Sequence, residues 1–73
     1  MAVSAIQLGQ VWRLEITGND WLVTKVYSEV FTSYAILRKL GGTEEEVVRV
    51  KVEKLADGVN LPGFIFAQDA DSF

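Results

Sequence analysis

Residues 34–55, YAILRKLGGTEEEVVRVKVEKL, contain the pattern that decides the fold. In the second half of this stretch, Val48, Val50 and Val52 alternate with charged residues. Successive side chains of a strand point to opposite faces, so the alternation predicts three valines on a core and three charges in water. The glycines at 41–42 can adopt the positive φ angles of a tight turn. The stretch therefore predicts a β-hairpin, which the rest of the chain covers.

The composition indicates one small domain and excludes several kinds of site. The chain has 73 residues, of which 49% are hydrophobic, which is enough for a packed core rather than disorder. It contains no cysteine and no histidine, which excludes disulfides, thiolate sites and histidine-based acid–base catalysis. No apolar run approaches the roughly 20 residues of a membrane span, and the first residues lack the pattern of an export signal. We therefore expect a cytoplasmic protein without membrane contact.

Five segments have the composition of strands, with β-branched and aromatic residues interleaved with polar ones. They are residues 10–16, 21–27, 34–40, 44–55 and 64–68. The last of them is a short apolar run that would promote aggregation if it were a bare edge. We expect it to pair with the first strand, and we expect Leu61 in the preceding turn to fill the core from below.

Residues 28–40 also satisfy the signals of a helix. Ser28 is a suitable N-cap, Phe31 and Tyr34 begin an apolar stripe, and Gly41 is a suitable stop. A helix at 28–40 would make the chain an α+β protein of ββαββ order. The β-branched and aromatic residues of this segment lower its helix propensity, which favours a loop followed by a strand.

The pentapeptide Gly-Gln-Val-Trp-Arg at residues 9–13 carries a resemblance to a group of known proteins. The chain resembles small, uncharacterised bacterial and phage SH3-like barrel proteins that open with this pattern. The resemblance implies an all-β fold, a single small five-stranded SH3-like barrel over residues 9–68. Residues 1–8 are then a loose N-terminal lead-in and residues 69–73 a polar C-terminal tail. Its motifs are structural, so it implies little about chemistry.

Aromatic residues are concentrated in the first half of the chain. Most are expected in the core, but a barrel of this size cannot bury every ring. If those near residues 29–33 are exposed together, they form a groove for an extended peptide or another protein surface. The candidate binding residues are Trp21, Tyr27, Phe31 and Tyr34.

The basic residues Arg38, Arg49 and Lys51 lie on the predicted central hairpin. If they share a face, they form a candidate nucleic-acid surface with Tyr34 nearby. The alternative is a solvated sheet face, with Glu53 as a cross-strand partner. The net charge of −3 and a pI near 4.7 argue against nucleic acid, because phosphate contacts dominate such binding.

The remaining polar residues form no catalytic pattern. Glu44, Glu45 and Glu46 are adjacent, so a strand would point neighbours apart instead of converging them on one pocket. No phosphate loop, dinucleotide fingerprint or calcium loop is present in the sequence. We therefore expect no enzyme activity, no cofactor and no metal site. The expected function is a binding or assembly module that acts on a protein partner or on a second copy of itself.

Overall fold

The structure, a computed structural model, describes residues 3–67 as strands and turns, without a helix in that range. The all-β prediction is confirmed. The strands are β1 (Val11–Leu14), β2 (Asp20–Glu29), β3 (Thr32–Lys39), β4 (Val47–Lys51), β5 (Glu53–Leu55), β6 (Gly58–Asn60) and β7 (Phe64–Phe66).

Residues 28–40 do not form the alternative helix. β2 extends to Glu29, and β3 begins at Thr32 after a turn at Val30 and Phe31. The hydroxyl of Ser28 lies 3.0 Å from that of Ser33 across the two strands, so it caps no helix. The β-branched and aromatic residues favour the extended backbone, and cross-strand pairing stabilises it.

Five strands form one antiparallel sheet in the order β4-β3-β2-β1-β7. The predicted pairing of the last strand with the first is confirmed, since Trp12 lies opposite Phe66 and Leu14 opposite Phe64. Within residues 3–67, β4 and β7 are the two ends of the sheet and are not paired with each other. The strand pairs therefore describe an open five-stranded sheet, not a hydrogen-bonded closed barrel.

The predicted long strand at 44–55 is wrong, because the chain bends at Val52. Residues 44–46 belong to the loop before β4, and β5 leaves the main sheet to pair with β6 in a separate hairpin. Gly41 has the predicted positive φ angle, 81°, and allows the turn at the start of that loop. The three consecutive glutamates favour solvent over strand pairing.

Two of the three valines in the alternating pattern pack as predicted. Val50 and Val52 are partly buried against the core. Val48 is 36% exposed, so its predicted place in the interior is wrong. It lies on the end strand β4, which has a neighbour on one side only.

The core lies on one face of the sheet and is dominated by aromatic and aliphatic side chains. Its buried residues are Ile6, Trp12, Trp21, Val23, Ala35, Leu37, Leu61 and Phe64. Edge-to-face contacts join Trp12 to Phe66 and Trp21 to Phe64, with ring centroids 5.2 and 6.5 Å apart. Leu61 fills the core as predicted.

The N-terminal segment is tied to the domain from Val3 onward. Val3 and Val59 exchange two main-chain hydrogen bonds of 3.0 and 2.8 Å. Ile6 joins the core, whereas Leu8 is exposed. The predicted tail at 69–73 lies outside the described residues.

Candidate binding surface

The outward faces of β2, β3 and β4 carry a cluster of positive charge, which we call the basic face. Alternate residues of these strands point away from the core, and they include four cations and two tyrosines: Lys25, Tyr27, Tyr34, Arg38, Arg49 and Lys51. These strands place two acids on the same side, Glu29 and Asp20, and Asp20 forms an ion pair of 3.0 Å with Arg13 of β1. The register thus brings together the three cations proposed from sequence and adds Lys25, which sequence reasoning missed.

Tyr27 and Tyr34 form the centre of the basic face. They are direct cross-strand partners, and their rings stack at 5.5 Å with an interplanar angle of 27°. The guanidinium carbon of Arg49 lies 4.8 Å from the centre of the Tyr34 ring. Lys25 Nζ lies 5.7 Å from the centre of the Tyr27 ring. Cations at these distances are attracted by the ring faces, so the charges are held against the tyrosines.

Arg49 links the two tyrosines. Its Nη1 donates a hydrogen bond of 3.5 Å to Tyr27 Oη while its guanidinium lies over Tyr34. This hydrogen bond raises the pKa of Arg49 above its ordinary value, and the nearby Glu29 acts in the same direction. Arg49 therefore stays charged at any physiological pH.

The other two proposed aromatic residues lie elsewhere. Trp21 is 8% exposed and packs against Phe64, so its burial removes it from the proposed groove. Phe31 is 92% exposed at the turn between β2 and β3. Of the four proposed aromatic residues, Trp21 therefore lies in the core, Tyr27 and Tyr34 form a stacked pair, and Phe31 is exposed on its own.

The main chain of β4 has an open side. Val52 N donates to Ser33 O at 2.9 Å, and hydrogen-bonded pairs recur at every second residue of an antiparallel strand. The intervening residues Arg49 and Lys51 therefore direct their N–H and C=O groups away from β3. No other strand in residues 3–67 lies beside them.

The start of β4 is closed by its own loop. Val47 N donates to Glu45 O at 3.0 Å, so this N–H is not offered to a neighbour. The open segment begins at the Val47 carbonyl and ends at Lys51. We call this segment the β4 edge.

The acidic loop before β4 is held by local contacts. Glu46 Oε1 accepts a hydrogen bond of 3.0 Å from Thr43 N, and Oε2 lies 3.7 Å from Lys39 Nζ. Glu44 and Glu45 are exposed beside it. Residues 3–67 contain no group of three acidic side chains placed to hold a metal ion. The loop therefore presents negative charge without a built coordination site.

Two shallow hollows lie at opposite ends of the sheet. One, of about 310 Å³, lies beside Phe31 and is lined by Thr32, Ser33, Lys51, Val52, Glu53 and Lys54. The other, of about 400 Å³, is lined by Leu14, Glu15, Ile16 and Gly63. Sequence reasoning identified neither, because each joins segments that are distant in the chain.

No helix in residues 3–67 is long and apolar enough to cross a membrane. Comparison of the chain with protein-family models, with curated proteins and with solved structures gives no match. The candidate surfaces are therefore interpreted from their geometry and charge alone.

Proposed function

We propose that this chain is a non-catalytic binding module that adds an extended, acidic segment of a partner protein to the β4 edge. The observation that carries the proposal is the open main chain of Arg49 and Lys51 at the end of the sheet. We also propose that the protein is cytoplasmic and that it is similar to small bacterial and phage SH3-like barrel proteins.

The β4 edge offers the groups that an added strand needs. Arg49 and Lys51 each present one N–H and one C=O in the plane of the sheet, and the Val47 carbonyl adds a further acceptor. An extended peptide completes such a row by main-chain hydrogen bonds, and its alternate side chains then fall on the two faces of the sheet. On the outer face these side chains meet the basic face.

The charge of the edge selects the partner. If two copies paired antiparallel through β4, the cations of one would lie close to those of the other, and like charges directly opposite are destabilising. Basic side chains on an edge strand are also a known protection against self-pairing. An acidic segment instead gains attraction from Arg49, Lys51 and Lys25, so the edge favours a different chain over a second copy.

Two synthetic peptides of alternating sequence test the charge requirement. One alternates Glu with Val and the other Lys with Val, and fluorescence anisotropy measures the binding of each labelled peptide. We expect the acidic peptide to bind at least tenfold more tightly, and Arg49→Glu to abolish this preference. Lys54→Glu is the matched control, since it makes the same charge change on β5, outside the edge. Equal binding of both peptides to the unaltered chain would overturn the proposal.

A second pair of variants tests the main-chain requirement. Lys51→Pro and Lys51→Ala remove the same charge, but only proline also removes the outward N–H. Proline is tolerated on the open side of an edge strand, so both variants are expected to fold. We expect Lys51→Pro to bind the acidic peptide several-fold more weakly than Lys51→Ala. Equal affinities would mean that side-chain contacts alone bind the peptide and that the main-chain N–H of Lys51 does not contribute.

The basic face supports a second candidate, binding of single-stranded nucleic acid. Two partly exposed tyrosines, with Lys25 and Arg49 against their rings, resemble the combination of stacking and charge used for such ligands. Against it, the Tyr34 ring already contacts Tyr27 and Arg49, which leaves less of it for a base. An oligonucleotide that binds at low salt and weakens steeply as salt rises would favour this candidate. The absence of binding at low salt would exclude it.

A further inference from the structure

A third hollow, of about 220 Å³, lies on the core-facing side of the sheet, and we call it the inner hollow. Three parts of the chain form it: the segment before β1, the strands β2 and β3, and the hairpin of β5 and β6. Its lining residues are Ser4, Ala5, Ile6, Val26, Ser33, Val52, Lys54 and Val59. The inner hollow includes no residue of the basic face or of the β4 edge.

The walls of the inner hollow are apolar and continue into the core. Ile6 belongs to the buried cluster, and Val52 and Val59 pack against it. Val26 lies opposite the buried Ala35, so its side chain is on the core-facing side of the sheet, yet it is 36% exposed. Residues 3–67 therefore leave this part of the core-facing side unfilled.

Hydrogen bonds hold the segment before β1 in place as one wall. Its Val3 is bound to Val59 by the two main-chain hydrogen bonds described above. The carbonyl of Ala5 accepts a hydrogen bond of 3.1 Å from Gln10 Nε2, while Gln10 Oε1 accepts one of 3.2 Å from the indole N–H of Trp12. The wall is thus tied to β6 and to the centre of the core. A hollow with fixed walls loses little conformational entropy when a ligand enters it.

The charge beside the inner hollow is positive, because Lys54 is the charged residue of its lining. Lys54 lies opposite Val59 in the second hairpin, so the two side chains share one face of that hairpin. The neighbouring Glu53 lies on the other face, where its Oε1 accepts a hydrogen bond of 3.5 Å from Asn60 Nδ2. Neither of the two ion pairs within residues 3–67 involves Lys54.

We propose that the inner hollow binds a small amphipathic carboxylate, with its alkyl chain along the valines and its carboxylate beside Lys54. Small-molecule sites typically combine apolar walls with a few polar groups that fix the orientation of the ligand. Here the cation selects an anionic head group, and the hydroxyls of Ser4 and Ser33 are the other polar groups of the lining. The proposal is independent of the function proposed above, since it uses no residue of the β4 edge.

The volume of the inner hollow limits the length of the chain. An apolar cavity of about 150 Å³ holds one benzene molecule, which has six heavy atoms, so a hollow of about 220 Å³ holds about nine. A straight-chain carboxylate of about eight carbons has this size, whereas the chains of membrane lipids are too long. Octanoate is therefore the suitable probe.

The alkyl chain contributes more to the affinity than the charge does. Each fully buried CH₂ group tightens binding about fourfold, whereas an exposed ion pair contributes about twofold to fivefold. For a ligand of about ten heavy atoms this gives a Kd on the order of 1 mM. Chain length and head-group charge are therefore tested separately.

A nuclear magnetic resonance titration of the isotope-labelled chain tests both requirements. The ligands are butanoate, hexanoate, octanoate and octylamine, the last of which has the chain of octanoate with a positive head group. We expect octanoate to shift the backbone amide signals of Val26, Val52 and Val59. The Kd should fall twofold to fourfold with each added CH₂ group, and octylamine should bind at least twofold more weakly than octanoate.

Two variants assign the ligand to the inner hollow. Lys54→Met removes the charge and keeps most of the stem, so octanoate and octylamine should then bind equally. Lys39→Met is the matched control at the far end of β3, where Lys39 Nζ lies 3.7 Å from Glu46, and it should keep the preference for octanoate. Val26→Asp places a carboxylate in the apolar wall and should abolish octanoate binding. Circular dichroism checks that each variant is folded.

Three results would overturn the proposal. The first is an unaltered chain whose amide signals do not shift with octanoate at concentrations well above 1 mM. The second is an affinity that does not change with chain length, which would mean that the carboxylate is attracted to surface cations alone. The third is an unchanged preference for octanoate over octylamine in Lys54→Met, which would place the anion at a different residue.

Discussion

The two halves of β2 have similar composition and opposite surroundings. From Asp20 to Leu22 the strand lies between β1 and β3, and from Lys25 to Glu29 it pairs with β3 alone. Its first half provides Trp21 and Val23 to the core, whereas its second half carries Val26 exposed and Tyr27 on the outer face. Aromatic and β-branched residues occur in both halves. Burial in this domain is therefore decided by the number of neighbouring strands and not by the residue type.

A register shift separates the two halves. It lies between Val23, opposite Leu37, and Lys25, opposite Ile36, and leaves Thr24 as the additional residue. Thr24 Oγ1 donates to Ile36 O at 3.2 Å, which ties the additional residue to β3. Such a bulge bends the strand and increases its twist. The same irregularity changes which parity faces outward, and it places Lys25 and Tyr27 on the basic face.

Replacing one aromatic residue in each half of β2 should give the largest difference in the free energy of unfolding. Trp21→Ala is expected to reduce the free energy of unfolding by about 3–5 kcal/mol, because it leaves a cavity beside Phe64. Tyr27→Ala removes an outer-face ring and is expected to cost about 1 kcal/mol or less. Urea denaturation followed by circular dichroism measures both. Equal losses would contradict the contrast between the halves.

A charged residue on the core-facing side of β4 tests whether the second half of β2 lies over a packed core. Val50 lies opposite Ala35, which in turn lies opposite Val26, and Val50 packs against the buried cluster. Val50→Asp is expected to cost about 2–3 kcal/mol, since it places a carboxylate against apolar groups. Val48→Asp is the matched control on the same strand and should cost less. A near-native melting temperature for Val50→Asp would show that this face is open to water.

The smallest expected effect is at the turn between β2 and β3, where the β-branched Val30 has a strained φ angle of 51°. Val30→Gly should increase the free energy of unfolding by up to about 1 kcal/mol, because glycine adopts a positive φ without the steric penalty of valine. Val26→Gly, in the paired part of the same strand, should reduce it by about 1 kcal/mol. Thermal melts of the two variants should therefore shift in opposite directions. Shifts in the same direction would mean that Val30 is not strained.

The alternating valines and the turn residues were sufficient to predict an all-β chain, and the apolar run at residues 64–68 was sufficient to predict that the last strand pairs with the first. They were insufficient at Val48, because alternation gives the face of a side chain but not whether that face is covered. The break at Val52 has no local signal, since the residues on either side of it continue the strand pattern. The break depends on β6, which pairs with Glu53–Leu55 to form a second hairpin.

The candidate surface was predictable in its charges and not in its aromatic residues. Arg49 and Lys51 alternate along one predicted strand, so their shared face follows from the period of two. Arg38 lies on the neighbouring strand, and its place on that face depends on the register of β3 with β4. Trp21 has the same parity as Tyr27 in the sequence, and the bulge at Thr24 removes the equivalence. The exposure of Val30 and Phe31 at the turn between β2 and β3 was not predicted, for a different reason. Sequence reasoning placed a loop at residues 28–33, where the strands in fact continue to a two-residue turn.

The pairing of β1 with β7 has a consequence for how the chain acquires its structure during synthesis. β1 through β4 follow one another as neighbours, so these strands can associate as soon as each has left the ribosome. Phe66 reaches Trp12 only across most of the chain length, and contacts of this separation require the costly closure of a long loop. The nascent sheet therefore lacks β7 until Phe64–Phe66 have been synthesised. Until then the indole ring of Trp12 has no edge-to-face contact with Phe66.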